Sequence, residues 1–187
     1  MPIKTPVCDF GKKAENFELK STENKLISLN DIKGENGTLI MFICNHCPYV
    51  KAIIKDVVED CTKLSDLGIN SVAICSNDPI NYPEDSFEKM IEFAIKHKFK
   101  FPYLIDETQD IARKYDAVCT PDFFGYDKDS DLQYRGRIRE LRELKKLIPV
   151  RDGDSDLFRA MKQIAETNKG PENQIPSAGC GIKWKTN

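Results

Sequence analysis

No apolar run in the chain approaches the roughly 18 residues that a membrane-spanning helix needs. The first residues, Met1-Pro2-Ile3-Lys4-Thr5-Pro6, also lack the hydrophobic block of a secretory signal. Charge of one sign is not in excess either. Lys and Arg number 28 against 30 Asp and Glu, a formal net charge of −2, so nothing electrostatic calls for nucleic acid. Histidine is scarce, with only His46 and His97 present. These absences place the expected protein in the cytoplasm, without a membrane or nucleic-acid partner, and no cofactor is expected. Cysteine, by contrast, is plentiful. Seven is an odd number, which rules out a framework pairing every cysteine within the chain. In a reducing compartment, cysteines serve redox chemistry, bind metal or pack.

A chain of 187 residues, 40% hydrophobic and 31% charged, fits one soluble domain over residues 1–187, with a core near 17–168 and a tail over 169–187. Strand and helix signals alternate along it. Phe17 to Leu19 and Leu26 to Leu29 flank a polar turn and predict a hairpin. Thr38 to Ile43 is a short apolar run of the buried-strand kind, and a helix is expected over 48–67, with Gly68 as its stop. A strand over 69–75, a loop over 77–85 and a helix over 86–98 follow. Then come a strand near Pro102 to Ile105, a short helix from Thr108 to Tyr115, a hairpin of 123–126 with 132–135, and a helix near 154–167. Strand, crossover helix and strand imply a parallel core, and hairpins add antiparallel edges. The fold class is α/β, a central mixed sheet flanked by helices.

The stretch Phe42-Ile43-Cys44-Asn45-His46-Cys47-Pro48-Tyr49-Val50-Lys51 carries the chemistry. Proline favours the first helical position, so Pro48 marks the helix start and Cys47 falls at the cap before it. There the free amides and the positive end of the helix dipole face the sulfur, and such a thiol ionises more readily than a free one. The remaining cysteines differ. Cys61 lies on the apolar helical stripe and Cys75 ends an apolar run, so both read as core. Cys8 receives no role. Arg135, Arg137, Arg139, Arg142, Lys145 and Lys146 form the densest basic stretch. Leu141, Leu144, Leu147 and Ile148 alternate with them as on a solvated surface helix.

The order of elements resembles the thioredoxin fold, and more narrowly the peroxiredoxin-like branch of the alkyl hydroperoxide reductase and thiol-specific antioxidant superfamily. Besides the stretch around Cys47, the resemblance rests on Ser76-Asn77-Asp78 with Tyr82-Pro83-Glu84-Asp85, and on Pro102 to Gln109. It continues through Cys119-Thr120-Pro121-Asp122-Phe123-Phe124, Tyr134-Arg135-Gly136-Arg137-Ile138, and Pro176 to Trp184. It implies that Cys47 takes the place of the nucleophilic cysteine, with Val50 where thioredoxin has its second. Met41 stands where thioredoxins carry a buried acid, and Cys44 where peroxiredoxins carry a hydroxyl residue. Thr120-Pro121 matches the cis-proline segment that faces the active cysteine, which would bring Cys119 close to Cys47.

The implied activity is that of an antioxidant thiol-disulfide oxidoreductase or thiol peroxidase. Cys47 attacks a peroxide or a disulfide, and a second thiol resolves the product, Cys44 ahead of Cys119 and Cys180. His46 would steady the thiolate and Arg137 would assist an oxyanion. A cellular thiol such as thioredoxin or glutathione would return the electrons. Each residue also has a plainer reading: Cys119 as a small buried residue before a turn, Cys180 as part of a loose tail, His46 as a bystander. Two other functions stay open: copper or zinc binding through Cys44, His46 and Cys47 with Cys119 or Cys180, and a redox-inactive binding domain.

Overall fold

The computed structural model describes residues 2–6, 8–142 and 146–186. After a short strand β1 (Ile3–Lys4), β2 (Glu18–Ser21) and β3 (Leu26–Ser28) form the first hairpin. Strand β4 (Gly37–Phe42) leads into helix α1 (Pro48–Ser65), which returns to β5 (Ile69–Cys75). Helix α2 (Phe87–Lys96) connects to β6 (Tyr103–Ile105), and α3 (Asp110–Lys114) to the short β7 (Cys119–Thr120). Strands β8 (Asp122–Tyr126) and β9 (Leu132–Tyr134) make the second long hairpin. A minimal pair, β10 (Leu141–Arg142) and β11 (Ile148–Pro149), precedes α4 (Asp156–Thr167) and a last strand β12 (Ala178–Gly181).

The main sheet runs β3-β2-β6-β5-β4-β8-β9. Strands β4, β5 and β6 are parallel, while β2 joins β6 and β8 joins β4 antiparallel, so the sheet is mixed as expected. Every residue of β4 is buried because helices cover both faces of the sheet. Its period-two alternation divides the core. Leu39 and Met41 join Ile53 and Val57 of α1 and Met161 and Ile164 of α4. Ile40 and Phe42 face the other way, into a cluster with Phe124, Ile111 and Tyr115. Each such fully buried side chain is worth roughly 1.5–3 kcal/mol relative to exposure.

Helix α1 starts as its sequence dictates, with Cys47 extended at the cap (φ −61°, ψ 123°) and Pro48 first in the helix. Past its end, Gly68 sits at φ +73°, a left-handed conformation that glycine adopts without a steric penalty. Ser86 caps α2 by accepting from the Lys89 amide, and Ser155 caps α4 by accepting from the Phe158 amide at 2.8 Å. No helix among the described residues is long and apolar enough to cross a membrane.

The basic stretch is not a surface helix. Arg135 is buried and paired with Asp122, Arg137 bonds Asp156, and Arg139 lies 3.1 Å from the buried Asp56 of α1. Arg151 binds the same Asp56 with both Nε and Nη2. These long-range partners draw the chain into loops and the β10–β11 pair, overriding a local pattern that also suits a helix. Leu144 and Lys145 of that stretch lie outside the described residues. The tail differs from expectation too. Strand β12 bridges β1 and β7 in a three-stranded sheet of its own, so it is not loose.

One buried acid in this frame is expected to limit stability at neutral pH. Burial raises the Asp60 carboxyl to about 6 from an ordinary 3.8, opposed by the hydrogen bond from Ser155 and by Arg139 and Lys63. With the folded value above the unfolded one, the folded state binds the proton more tightly. Stability is therefore fullest below the unfolded value and is lost as pH rises through about 6. Asp60→Asn is expected to gain on the order of 2 kcal/mol at neutral pH and nothing near pH 4, read as urea midpoints for both proteins. A gain independent of pH would sink this account.

Candidate active site

The strand-to-helix turn that carries the cysteines is fixed from outside itself. Asp85, on a 3₁₀ turn before α2, accepts from the amides of Asn45 (2.8 Å) and His46 (3.2 Å) through Oδ1. Its Oδ2 accepts from Asn77 Nδ2 at 2.7 Å and lies 2.5 Å from His46 Nδ1. Tyr103 donates to Asn45 Oδ1, and the Asn45 side chain donates to the Glu84 carbonyl. His46 stacks on Tyr82 with ring centroids 5.6 Å apart. Asp85 thus holds the turn by satisfying amides that would otherwise be buried without partners. Sequence reasoning missed this role. The one cue was the stretch Tyr82-Pro83-Glu84-Asp85, which carries no periodicity.

Cys47 is fully buried, yet its surroundings are polar. As a thiol it donates to the Thr120 carbonyl at 3.2 Å, while Cys44 Sγ lies 3.3 Å from the Thr120 hydroxyl. The Thr120–Pro121 peptide is cis, as the resemblance implied. The Cys47 thiol is held down at about 5. The hydrogen bond from Cys44 is the largest cause, and the Cys180 thiol and the amides of Val50 and Cys180 also lower it, against the opposing effect of burial. The Val50 amide belongs to the first helical turn, where the cap argument looks for a donor, but the two neighbouring thiols contribute ahead of it. Cys44 is pushed well above its ordinary value by that same hydrogen bond and by burial. Cys180 is pushed up to about 12 by burial and by the charge on Cys47. The directions of these shifts agree, favouring the charge on Cys47 with Cys44 and Cys180 as donors to it.

Strand β12 brings Cys180 to this point. It pairs antiparallel with β7, setting Cys180 opposite Thr120 and Gly181 opposite Cys119. A Cβ at Gly179 would meet the Thr120 carbonyl oxygen at 2.1 Å, so only glycine lets the strands approach. Ser177 donates to the Pro121 carbonyl, and the Lys183 amide donates to Asn77 Oδ1. Gln109 donates to the Lys183 carbonyl, and Arg113 covers the Trp184 ring at 4.5 Å. Cys180 itself is half-buried at the edge of the cluster.

The other expected residues fall into place unevenly. Cys119 is buried, bonds the Pro121 carbonyl at 3.6 Å and is pushed up by burial, with the charges of Cys47 and Cys180 adding to the effect. It is near the cluster but turned to its own backbone. Arg137 donates to Asp156 at 2.7 Å and lines a cavity of about 220 Å³ with Tyr49, Pro121 and Ser177. No contact joins its guanidinium to Cys47. Met41 is fully buried, so the strand offers no carboxylate there. Cys61 and Cys75 are core residues, each pushed up to about 12 by burial. Among the described residues, the ligand set expected for a metal through Cys47 does not assemble as such. The group that comes together is Cys44, His46 and Asp85.

A buried thiol cluster at a helix head, facing the residue before a cis-proline on a mixed sheet, defines a redox-type thiol site on a thioredoxin-like fold. Solved structures of a putative protein disulfide isomerase from Bacteroides thetaiotaomicron and of the thioredoxin domain of a thiol-disulfide oxidoreductase from Bacteroides vulgatus share that fold. The chain belongs to the AhpC/TSA family, whose model matches residues 10–135. It is 27% identical over 146 residues to the thiol-disulfide oxidoreductase ResA of Bacillus thuringiensis subsp. konkukian, covering 75% of this chain and 80% of that one. It is 25% identical over 168 residues to the peroxiredoxin Bcp of Bacillus subtilis, covering 84% and 98%. A conserved protein from Geobacillus kaustophilus, solved as a crystal structure, superposes with a TM-score of 0.92 at 40% identity, covering 100% of this chain and 98% of that one.

Proposed function

We propose that this single-domain chain is a cytoplasmic thiol oxidoreductase in which the Cys47 thiolate attacks a disulfide or a peroxide. One observation carries the reading: the Cys47 sulfur sits at the head of α1, in reach of the thiols of both Cys44 and Cys180. On a disulfide, Cys47 forms a mixed disulfide and expels the other half as thiolate. On a hydroperoxide, it takes the terminal oxygen with its proton to become a sulfenic acid as the O–O bond breaks, and the alkoxide or hydroxide leaves as alcohol or water after taking a proton from solvent. Cys44 then attacks the Cys47 sulfur, giving a Cys44–Cys47 disulfide. Its proton goes to the departing thiolate, or to the hydroxide that leaves as water. Cys44 is favoured because it shares the turn with Cys47, whereas Cys180, also in reach, and Cys119 belong to the paired strands β12 and β7. A cellular dithiol or glutathione would reduce the disulfide, and an odd count of seven cysteines suits a reducing compartment.

Peptide mass mapping after one equivalent of oxidant tests the assignment. The expected product is a Cys44–Cys47 link. A Cys47–Cys180 link would keep the nucleophile and move the resolving role, and an untouched Cys47 would end the proposal.

A further inference from the structure

Outside the thiolate itself, the same turn brings together a thiol, an imidazole and a carboxylate that the redox scheme leaves unexplained as a set. Cys44 Sγ, His46 Nδ1 and an Asp85 carboxylate oxygen all lie within 4.8 Å of one another, with Cys44 and Asp85 buried and His46 half-buried. Cys44 and His46 are 4.0 Å apart, and His46 and Asp85 are 2.5 Å apart. We propose that Cys44, His46 and Asp85 form a binding site for one Zn²⁺ ion, open in its fourth position.

The donor types decide the metal. One sulfur, one nitrogen and one oxygen suit the borderline zinc ion, whereas magnesium and calcium want oxygen throughout and copper(I) wants more sulfur. Tetrahedral zinc with bonds of about 2.0–2.3 Å sets its ligand atoms about 3.5 Å apart. The sulfur has to close by about half an ångström, and the imidazole and carboxylate have to part by about one, as the ion replaces the hydrogen bond between them. Zinc takes Cys44 as thiolate, releasing one proton, His46 through Nδ1 with its ring proton on Nε2, and Asp85 through Oδ2.

The supports of these groups are those a ligand set requires. Asp85 is oriented by the Asn45 and His46 amides on Oδ1 and by Asn77 on Oδ2. The His46 ring lies flat against Tyr82, and the Thr120 hydroxyl contacts the Cys44 sulfur. Groups of this kind fix the first ligands of metal sites. Cys47 is not among the three, so the nucleophile and the ion do not compete for one sulfur. Binding does withdraw Cys44, which ties the ion to the redox cycle.

The test is equilibrium dialysis of fully reduced, chelator-stripped protein against Zn²⁺, with metal counted by atomic emission. Co²⁺ serves as an optical probe through its thiolate charge-transfer band. The wild type and Cys47→Ser are both expected to retain one equivalent and show the band. His46→Ala, which leaves the Oδ1 bonds of Asp85 intact, is expected to lose stoichiometric retention, as is Cys44→Ser. Retention well below one equivalent in the folded wild type, or retention that His46→Ala does not weaken, overturns the site. Oxidised wild type is expected to shed the ion. That arm alone rests on the Cys44–Cys47 disulfide, so its failure while the reduced protein binds zinc would count against the redox assignment and not against the site.

Discussion

Cys47→Ser is expected to abolish the fast phase seen when reduced protein meets a peroxide or a small disulfide in stopped flow, leaving only slow reaction at other thiols. The argument is one of magnitudes. With its thiol at about 5, Cys47 is almost wholly ionised at neutral pH, where a thiol near 9 is about 1% ionised, a gain of about a hundredfold in thiolate. Intrinsic nucleophilicity falls as the thiol acidifies, and over four units at a Brønsted slope of about 0.4–0.5 this returns most of that factor. The low value therefore adds little to attack at neutral pH. Its effect lies elsewhere, in attack that persists in acid and in a Cys47 sulfur that leaves readily once Cys44 or a reductant strikes its partner. Accordingly the wild-type fast phase should stay nearly flat from about pH 8 to 6 and fall away below about 5. Cys44 and Cys180, held protonated, should contribute no fast phase of their own. A fast phase undiminished in Cys47→Ser would remove that residue from the chemistry.

The parts of this site that were legible in the sequence are local ones. Pro48 and the apolar stripe of α1 announce the helix, and the cap position of Cys47 follows from one proline. The alternation in β4 is hidden, because both its faces are covered, but the bare apolar run still reads as a buried strand. What the sequence withholds is long-range. β1 and β12 are too short and too rich in glycine or polar neighbours to show a period, and they exist because each finds an edge far away in the chain. Asp85 looks like any loop acid until the turn at Asn45 and His46 folds onto it. The basic stretch misleads for the same reason, since three of its arginines have acidic partners on other elements.

Arg135 among these sets the second large effect, because the acid it neutralises follows the cis-proline directly. Its Nη2 lies 2.9 Å from Asp122 Oδ2 and its Nε 3.3 Å from Oδ1, with Asp122 fully buried. The guanidinium also donates to the Asp116 carbonyl and lies over the Phe124 ring at 4.4 Å. Removing one partner of a buried pair leaves an uncompensated charge, and Arg135→Met is expected to cost about 3–5 kcal/mol at neutral pH, measured by urea unfolding. Burial already raises the Asp122 carboxyl, and Arg135 and the Val118 amide oppose that rise. Without Arg135 the carboxyl climbs further, so protonation relieves the strain and the loss should shrink as pH falls. Arg135→Met combined with Asp122→Leu, which removes both charges, is expected to recover most of it. Equal losses in the single and double variants would show that packing on Phe124, not the buried charge, is responsible. Because Asp122 starts β8 two residues after Thr120, whose carbonyl and hydroxyl touch Cys47 and Cys44, the single variant should also slow the fast phase. The double variant, with no unpaired buried charge left to displace the start of β8 and with it Thr120, should restore stability and rate together.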